Sequence, residues 1–171
     1  DRSDRAGAWV ARAALEPSEP MLVPDTPELP TAVVDVRDLV AWLLDLATEG
    51  RTGTFDAVGP VVPFSEWIEL AREIGGHTGP VVPAKSEWLE EQKVEPYMGP
   101  ESLTMWMFDP EYAGWSCRSG AAALAAGLVH RPRRDFLVDT LAWERELGLE
   151  RERRAGLSLS KEKELIAALE Q

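Results

Sequence analysis

The side chains in this sequence with the chemistry to move protons or form covalent bonds are few and scattered. Nucleophilic catalysis needs a serine or cysteine with a base beside it. The two histidines, His77 and His130, do not offer that arrangement, because His77 sits among glycines in a predicted helix exit and His130 adjoins arginines. Both read as surface residues. Cys117, the one cysteine, reads as a structural thiol. A phenol activated by a lysine four positions on is missing, since Tyr97 has Glu101 there and Tyr112 has Ser116. Gly75 and Gly76 follow a helical pattern rather than opening one, so they read as a C-terminal cap and not as a phosphate cradle. No Walker sequence occurs, and no Cys/His cluster has metal-ligand spacing. The carboxylate pair Glu90 and Glu91 reads as a solvated helix face. The run HRPRR at 130–134 is a local basic cluster whose guanidinium forks suit a phosphate or carboxylate. A loop whose charges balance nearby acids is the simpler reading.

That run stands against an acidic background: 18 Lys and Arg oppose 30 Asp and Glu, a formal net charge of −12 over 171 residues. Such a field repels polyanions and anionic bilayer surfaces, which argues against nucleic acid and membrane as partners. No apolar run approaches the roughly 20 residues that span a bilayer, and the stretch 39–46 is broken by Asp45. Hydrophobic residues at 44% and charged residues at 28% are ordinary for a globular chain able to enclose one core. A lone cysteine forms no internal disulfide, and the opening DRSDRAGAW lacks an apolar signal segment, so a cytoplasmic protein is expected. The sequence starts in mid-pattern and without Met, which leads us to expect a piece of something longer.

The elements that must position these residues follow from periodicity and punctuation. Ser3 is placed to cap a helix through Arg5, Trp9, Arg12 and Leu15, stopped by Pro17 and Pro20. Residues 21–23 suit a brief strand. After the proline-spaced PDTPELP, residues 32–34 suit a buried strand, and Leu39, Trp42, Leu43 and Leu46 recur at helical spacing up to Gly50. Asp35 or Asp38 falls where that helix needs its N-cap. Residues 54–58 (TFDAV) read as a second strand. Ser65 is the expected cap of a helix burying Trp67, Ile68, Leu70, Ala71 and Ile74. An extended piece at 79–83 precedes a short helix, capped by Ser86, around Trp88 and Leu89. Residues 94–114 read as a loop of high aromatic density, and Trp115 with Ser116 as another short strand. Three helices complete the pattern. One is alanine-rich and ends at Gly127; one carries Phe136, Leu137, Thr140, Leu141 and Trp143; the last, at 159–169, turns Leu165, Ile166 and Leu169 inward and the KEKE run outward. Helices dominate, with three or four short strands, in an α/β chain. The helical tryptophans Trp42, Trp67 and Trp143 are expected in the core, whereas Trp106 suits core or pocket equally.

The order of these pieces resembles the C-terminal half of the NAD(P)-dependent epimerase/dehydratase family, the extended and atypical short-chain dehydrogenase/reductases. The resemblance is carried by DRSDR with Trp9 and Arg12, by VVDVRDLVAWLLDLA (33–47) and by TGTFDAVGP (52–60). VEPYMGPESLTMWM (94–107), DPEYAGWS (109–116), ALAAGLVHRPRRDFLVDTLAWE (123–144) and GLSLSKEKELIAAL (156–169) follow in the family's order. Two positions depart from the pattern: Asp56 stands where the family has Asn, and SGAAA at 119–123 replaces a "D-x-S-R-A" helix start.

The resemblance implies that residues 1–171 form a single C-terminal substrate-binding portion, an incomplete Rossmann-type domain whose last strand is 54–58. The family's glycine-rich cofactor loop and its Ser/Tyr/Lys group lie upstream of this segment, so it assigns no catalytic and no cofactor-binding residue here. NAD or NADP is implied for the complete family protein, and no cofactor is expected on this chain alone. Arg5, Trp9, Arg12, Tyr97, Trp106, Met107 and Phe108 would wall the substrate pocket, while Asp35, Arg37 and Asp38 would be structural. The implied partners are a small-molecule substrate and either a nucleotide-binding half or a homodimer mate. Two alternatives stay open: a non-enzymatic remnant that binds a protein through a strand edge or the last helix, and a small-molecule binder that closes its sheet by dimerising.

Overall fold

A computed structural model of the chain describes residues 3–112 and 114–169. Asp1 and Arg2 of DRSDR, Ala113 of DPEYAGWS, and residues 170 and 171 lie outside the described residues. The fold is α/β, with seven α-helices and a few short strands among the described residues.

The main core forms where three helices meet. Helix α1 (Arg5–Leu15) buries Trp9, Val10, Ala11 and Ala13, positions that reach more than halfway round the helix, so it is enclosed on more than one side. It packs against α3 (Phe64–Gly75), which buries Phe64, Trp67, Ile68 and Ala71, and against α6 (Arg133–Leu147). Trp9 meets Phe64 edge to face, with ring centroids 5.6 Å apart. Strand β1 (Met21–Pro24) is buried throughout and pairs in parallel with β4 (Val81–Ala84), from Met21 opposite Val81 to Pro24 opposite Ala84. Helix α7 (Leu159–Leu169) lies on β1 and adds Leu165 and Ile166 to the same core.

A second, smaller core sits under α2 (Val36–Thr48). There Trp42 and Leu46 pack on Ala123 of α5 (Ala121–Ala125) and on Leu128, with Phe55 edge-on to Trp42 at 5.4 Å. The Trp42 indole N–H donates to the Ala126 carbonyl at 2.8 Å. Asp35 caps α2 by accepting the Arg37 N–H at 2.8 Å.

Several sequence expectations need correction. Neither 32–34 nor 54–58 is a strand. A ladder requires a bonded neighbour, and the backbone of residues 52–60 makes no hydrogen bond among the described residues. The pairing instead falls just outside, where β2 (Pro30–Thr31) meets β3 (Val62–Pro63) antiparallel. Residues 33 and 59 nonetheless touch backbone to backbone. A Cβ built on Gly59 would lie 1.7 Å from the Val33 oxygen, so only glycine fits. Trp115 and Ser116 sit in a turn, with Trp115 exposed.

Ser3, Ser65 and Ser86 do not occupy the N-cap positions. Asp4, Pro63 and Lys85 stand there, none making a side-chain cap bond; the last precedes α4 (Ser86–Glu91). The segment expected as a loop at 94–114 contains two strands, β5 (Glu95–Tyr97) and β6 (Ser102–Thr104), paired in parallel. Parallel neighbours normally need a crossover of a dozen residues or so. Here left-handed residues at Tyr97 (φ 65°), Gly99 (φ 98°) and Glu101 (φ 52°) fold the connection back within a few positions.

Trp143 is 46% exposed rather than buried. Helix α6 turns Leu137, Thr140, Leu141 and Glu144 inward, and Trp143 lies off that stripe. On α2, Val36, Val40, Leu43 and Leu44 are between 49% and 66% exposed, leaving an apolar stripe in solvent. No helix among the described residues is long and apolar enough to cross a membrane.

Candidate functional site

Helix α1 divides two clefts. One, of about 460 Å³, opens beside its first turn and is bordered by Arg5, Tyr97, Met105, Phe136 and Trp143, with residues 31–37 along one wall. The other, of about 570 Å³, lies toward the opposite end and is bordered by Trp9, Arg12, Thr104, Arg151, Arg153 and Glu162. Both fall in the size range of small-molecule sites. The residues read from sequence as one pocket wall are thus split. Arg5 and Tyr97 line the first cleft, Trp9 and Arg12 line the second, and Trp106, Met107 and Phe108 line neither. Trp106 is fully buried and stacks on Phe108 at 4.4 Å, while Phe108 packs on the main core.

In the Arg5 cleft, the guanidinium carbon lies 5.0 Å from the Tyr97 ring centroid, a cation–π arrangement. The Arg5 Nε donates to Ser3 Oγ at 3.1 Å. Tyr97 is braced edge-on by Trp115 at 6.2 Å, which meets Tyr112 at 6.1 Å in turn. Tyr97 and Met105 both hold left-handed backbone angles, φ 65° and 63°. Such conformations cost on the order of 1–3 kcal/mol each in non-glycine residues and persist only where the surroundings impose them. They turn the two side chains into the cleft wall.

The rim of this cleft is an ion-pair network that ties α2 to α6. Arg37 donates to Asp35 (Nε to Oδ1, 3.0 Å) and to Asp139 (2.6 Å). Arg131 donates to Asp38 through its backbone N–H at 2.9 Å and its guanidinium at 2.7 Å, and lies 3.4 Å from Asp35. The hydrogen bonds from Arg37 hold the Asp35 carboxyl below its ordinary range, and those from Arg131 do the same for Asp38. The basic run at 130–134 is consumed in the same way, since Arg133 faces Glu66 and Arg134 pairs with Glu73.

In the Arg12 cleft, the dominant feature was not legible as a site in the sequence. Glu162 belongs to the KEKE run expected in solvent, yet it is 3% exposed. Its carboxylate accepts the Arg12 Nε and, at 2.9 Å, the Leu22 N–H on the outer edge of β1. Arg12 also donates to the Pro20 carbonyl at 2.7 Å. Burial pushes the Glu162 carboxyl up, with Arg12 and the Leu22 N–H pulling against it. Behind it, fully buried Glu144 accepts from Arg151 and Arg153, and Arg151 also binds Asp4 at 2.6 Å. Burial would raise the Asp4 carboxyl, but the Arg151 bond and the Arg154 N–H outweigh it and hold it low. Trp9 donates its indole N–H to the Thr104 carbonyl at 2.9 Å. The only local signal for this site was the alternation of Leu165 and Ile166 with Glu162 one turn earlier, which places that acid on the apolar face.

Of the remaining candidates, His77 is buried, not superficial. Its Nδ1 accepts from Arg72 at 3.0 Å, and its Nε2 faces the Glu19 carbonyl at 2.9 Å, partners that require the Nε2–H tautomer. Burial pushes its pKa down, so the ring stays neutral and pins the connection between α3 and β4. Cys117 is exposed and free rather than packed. Glu90 and Glu91 are exposed. No group of three or more His, Cys, Asp or Glu able to hold a metal ion occurs among the described residues.

No family model matches the chain, and no curated protein does either. Among solved structures it is similar to the one described as "Crystal structure of gox2253", with 19% sequence identity and a TM-score of 0.47. The match covers 84% of this chain and 44% of that one, so the chain spans less than half of that protein's length.

Proposed function

We propose that the chain is the substrate-binding portion of an NAD(P)-dependent oxidoreductase or epimerase, inactive by itself and completed by a nucleotide-binding half. The observation that supports this is an unfinished layer. The backbone of 52–60 forms no backbone hydrogen bond among the described residues, and helix α2 leaves Val36, Val40, Leu43 and Leu44 in solvent. Backbone with open N–H and C=O groups can be completed by a further strand, and an apolar stripe of this length normally lies under another element. In that setting the Arg5 cleft is the substrate pocket, and the dinucleotide would be gripped by the other half.

The test is complementation. The chain is mixed with the nucleotide-binding half of an epimerase/dehydratase family member, and NADPH fluorescence and complex formation are followed. Association with a fluorescence change is expected, and Leu44→Glu abolishes it while leaving the fold of the chain intact by circular dichroism. A chain that stays monomeric and stable with every such half, with no NADPH response, refutes the proposal.

A further inference from the structure

The Arg5 cleft carries a further assignment. Most of the partly buried arginines of this acidic chain are spoken for: Arg12, Arg131, Arg133, Arg151 and Arg153 each face a carboxylate within 4 Å, Arg72 donates to His77 and the Gly79 carbonyl, and Arg145 and Arg154, which face no carboxylate, are exposed. Arg5 is different. It is half-buried, lines a cleft of about 460 Å³, and has no carboxylate within salt-bridge distance among the described residues. Its Nε is bonded to Ser3, and its planar group lies over the Tyr97 ring, which leaves the two terminal nitrogens with no acceptor among the described residues. The carboxylates at the rim do not fill the vacancy, because Asp35 and Asp139 both bond to Arg37.

We infer that the Arg5 cleft takes a small organic oxyanion, a carboxylate or phosphate monoester on an apolar body. The terminal nitrogens of Arg5 bind the anion as a fork. Tyr97 beneath the guanidinium fixes its plane. Met105, Phe136 and Trp143 supply an apolar wall for the body. Tyr97 and Ser116 border the same space, and their hydroxyls have no hydrogen-bond partner among the described residues, which leaves them free to bond a ligand's remaining oxygens. The strained backbone at Tyr97 and Met105 fits a wall shaped in advance for a ligand. The inference rests on the proposed function only in calling that ligand the substrate.

The test measures binding of phenyl phosphate, of benzoate and of neutral benzyl alcohol to the chain by ligand-observed NMR, with circular dichroism on each variant. Both anions are expected to bind at least tenfold more tightly than the alcohol, and the tighter of the two shows whether the substrate's anion is a phosphate or a carboxylate. Arg5→Met lowers anion affinity about tenfold to a hundredfold, as expected for loss of a charge-assisted bond. Arg5→Lys retains part of it, because the charge stays and the fork is lost. Arg145→Met, an exposed arginine bordering neither cleft, changes nothing. Equal binding of the alcohol and the anions overturns the inference, as does full affinity in a folded Arg5→Met or Arg5→Lys chain, or no binding of either anion at millimolar concentration. A failure here, with complementation successful, removes the anionic substrate and leaves the proposed function standing. Failed complementation with Arg5-dependent anion binding does the reverse.

Discussion

Replacing Glu162 is the most direct probe of how the two ends of the chain hold together. Its carboxylate, 3% exposed, joins α7 to Arg12 of α1 and to the Leu22 N–H of β1. Glu162→Ala leaves an arginine whose side chain is only 12% exposed without its counter-ion, and a buried N–H without an acceptor. Breaking a buried pair by removing one member costs about 3–5 kcal/mol. Arg12 keeps the Pro20 and Glu16 carbonyls as partners, so the lower end, about 3 kcal/mol, is expected. Glu162→Gln keeps an acceptor for the Leu22 N–H and loses only the charge, for about 1 kcal/mol. With a urea slope of about 2 kcal/mol/M for a chain of this size, the unfolding midpoint falls by about 1.5 M for Ala and about 0.5 M for Gln. The pairing term itself is isolated by the cycle with Arg12→Met.

A pH series adds a sign. Because burial raises the folded-state pKa of Glu162, protonation favours the folded form. The proton-linked part of this group's contribution is complete below its unfolded value near 4.5 and is lost as pH rises through the folded pKa, leaving the ion pair and the Leu22 bond. The wild type should therefore gain on Glu162→Gln as pH falls from 7 toward 4.5. If Ala and Gln cost the same, under about 0.5 kcal/mol each, α7 is not anchored by this carboxylate and the account of the Arg12 cleft is wrong.

Two further outcomes follow from the geometry. Asp4, Asp35 and Asp38 have depressed pKa values, so their stabilisation is present above about 3.8 and drains away as pH drops through the lowered values; urea midpoints measured between neutral and strongly acid pH should show this acid limb, and Asp35→Asn should flatten it. Gly59→Ala forces a methyl into the Val33 carbonyl, 1.7 Å away in the present backbone, and is expected to cost about 2–3 kcal/mol, lowering Tm by roughly 4–12 °C in a calorimetric scan. An unchanged Tm would mean that residues 33 and 59 are not in contact.

The sequence signals were clearest where local chemistry decides the outcome. Helix α1 ends where Pro17 and Pro20 forbid continuation, and α7 starts beyond Ser158, whose Oγ accepts the Lys161 N–H at 3.2 Å. Trp42 and Leu46 on α2, and Trp67, Ile68 and Ala71 on α3, lie in the cores that their spacing indicates. Long-range pairing escaped. Residues 54–58 have strand-like side chains, but side chains do not create a neighbour to bond. The left-handed turns that let β5 and β6 pair occur at Tyr97 and Glu101, types that carry no such signal.

The site was legible in part. Aromatic density at 94–108 places Tyr97 in a cleft wall, but Trp106 spends its ring on the core. Arg12 and Glu162 meet across 150 positions, and the spacing that puts Glu162 on the apolar face of its helix does not say which partner it meets there. His77 read as superficial because its partners, Arg72 and the Glu19 carbonyl, are supplied by the fold.

The dependence of β1 on Glu162 also bears on biosynthesis. Leu22 and Glu162 are separated by 140 positions, so a ribosome-bound chain displays the outer edge of β1 until the 140 residues that follow Leu22 have been added. During that interval the bare amide invites pairing with a neighbouring nascent chain. Expression host, growth temperature and chaperone supply should therefore govern yield more than the equilibrium stability of the finished molecule does.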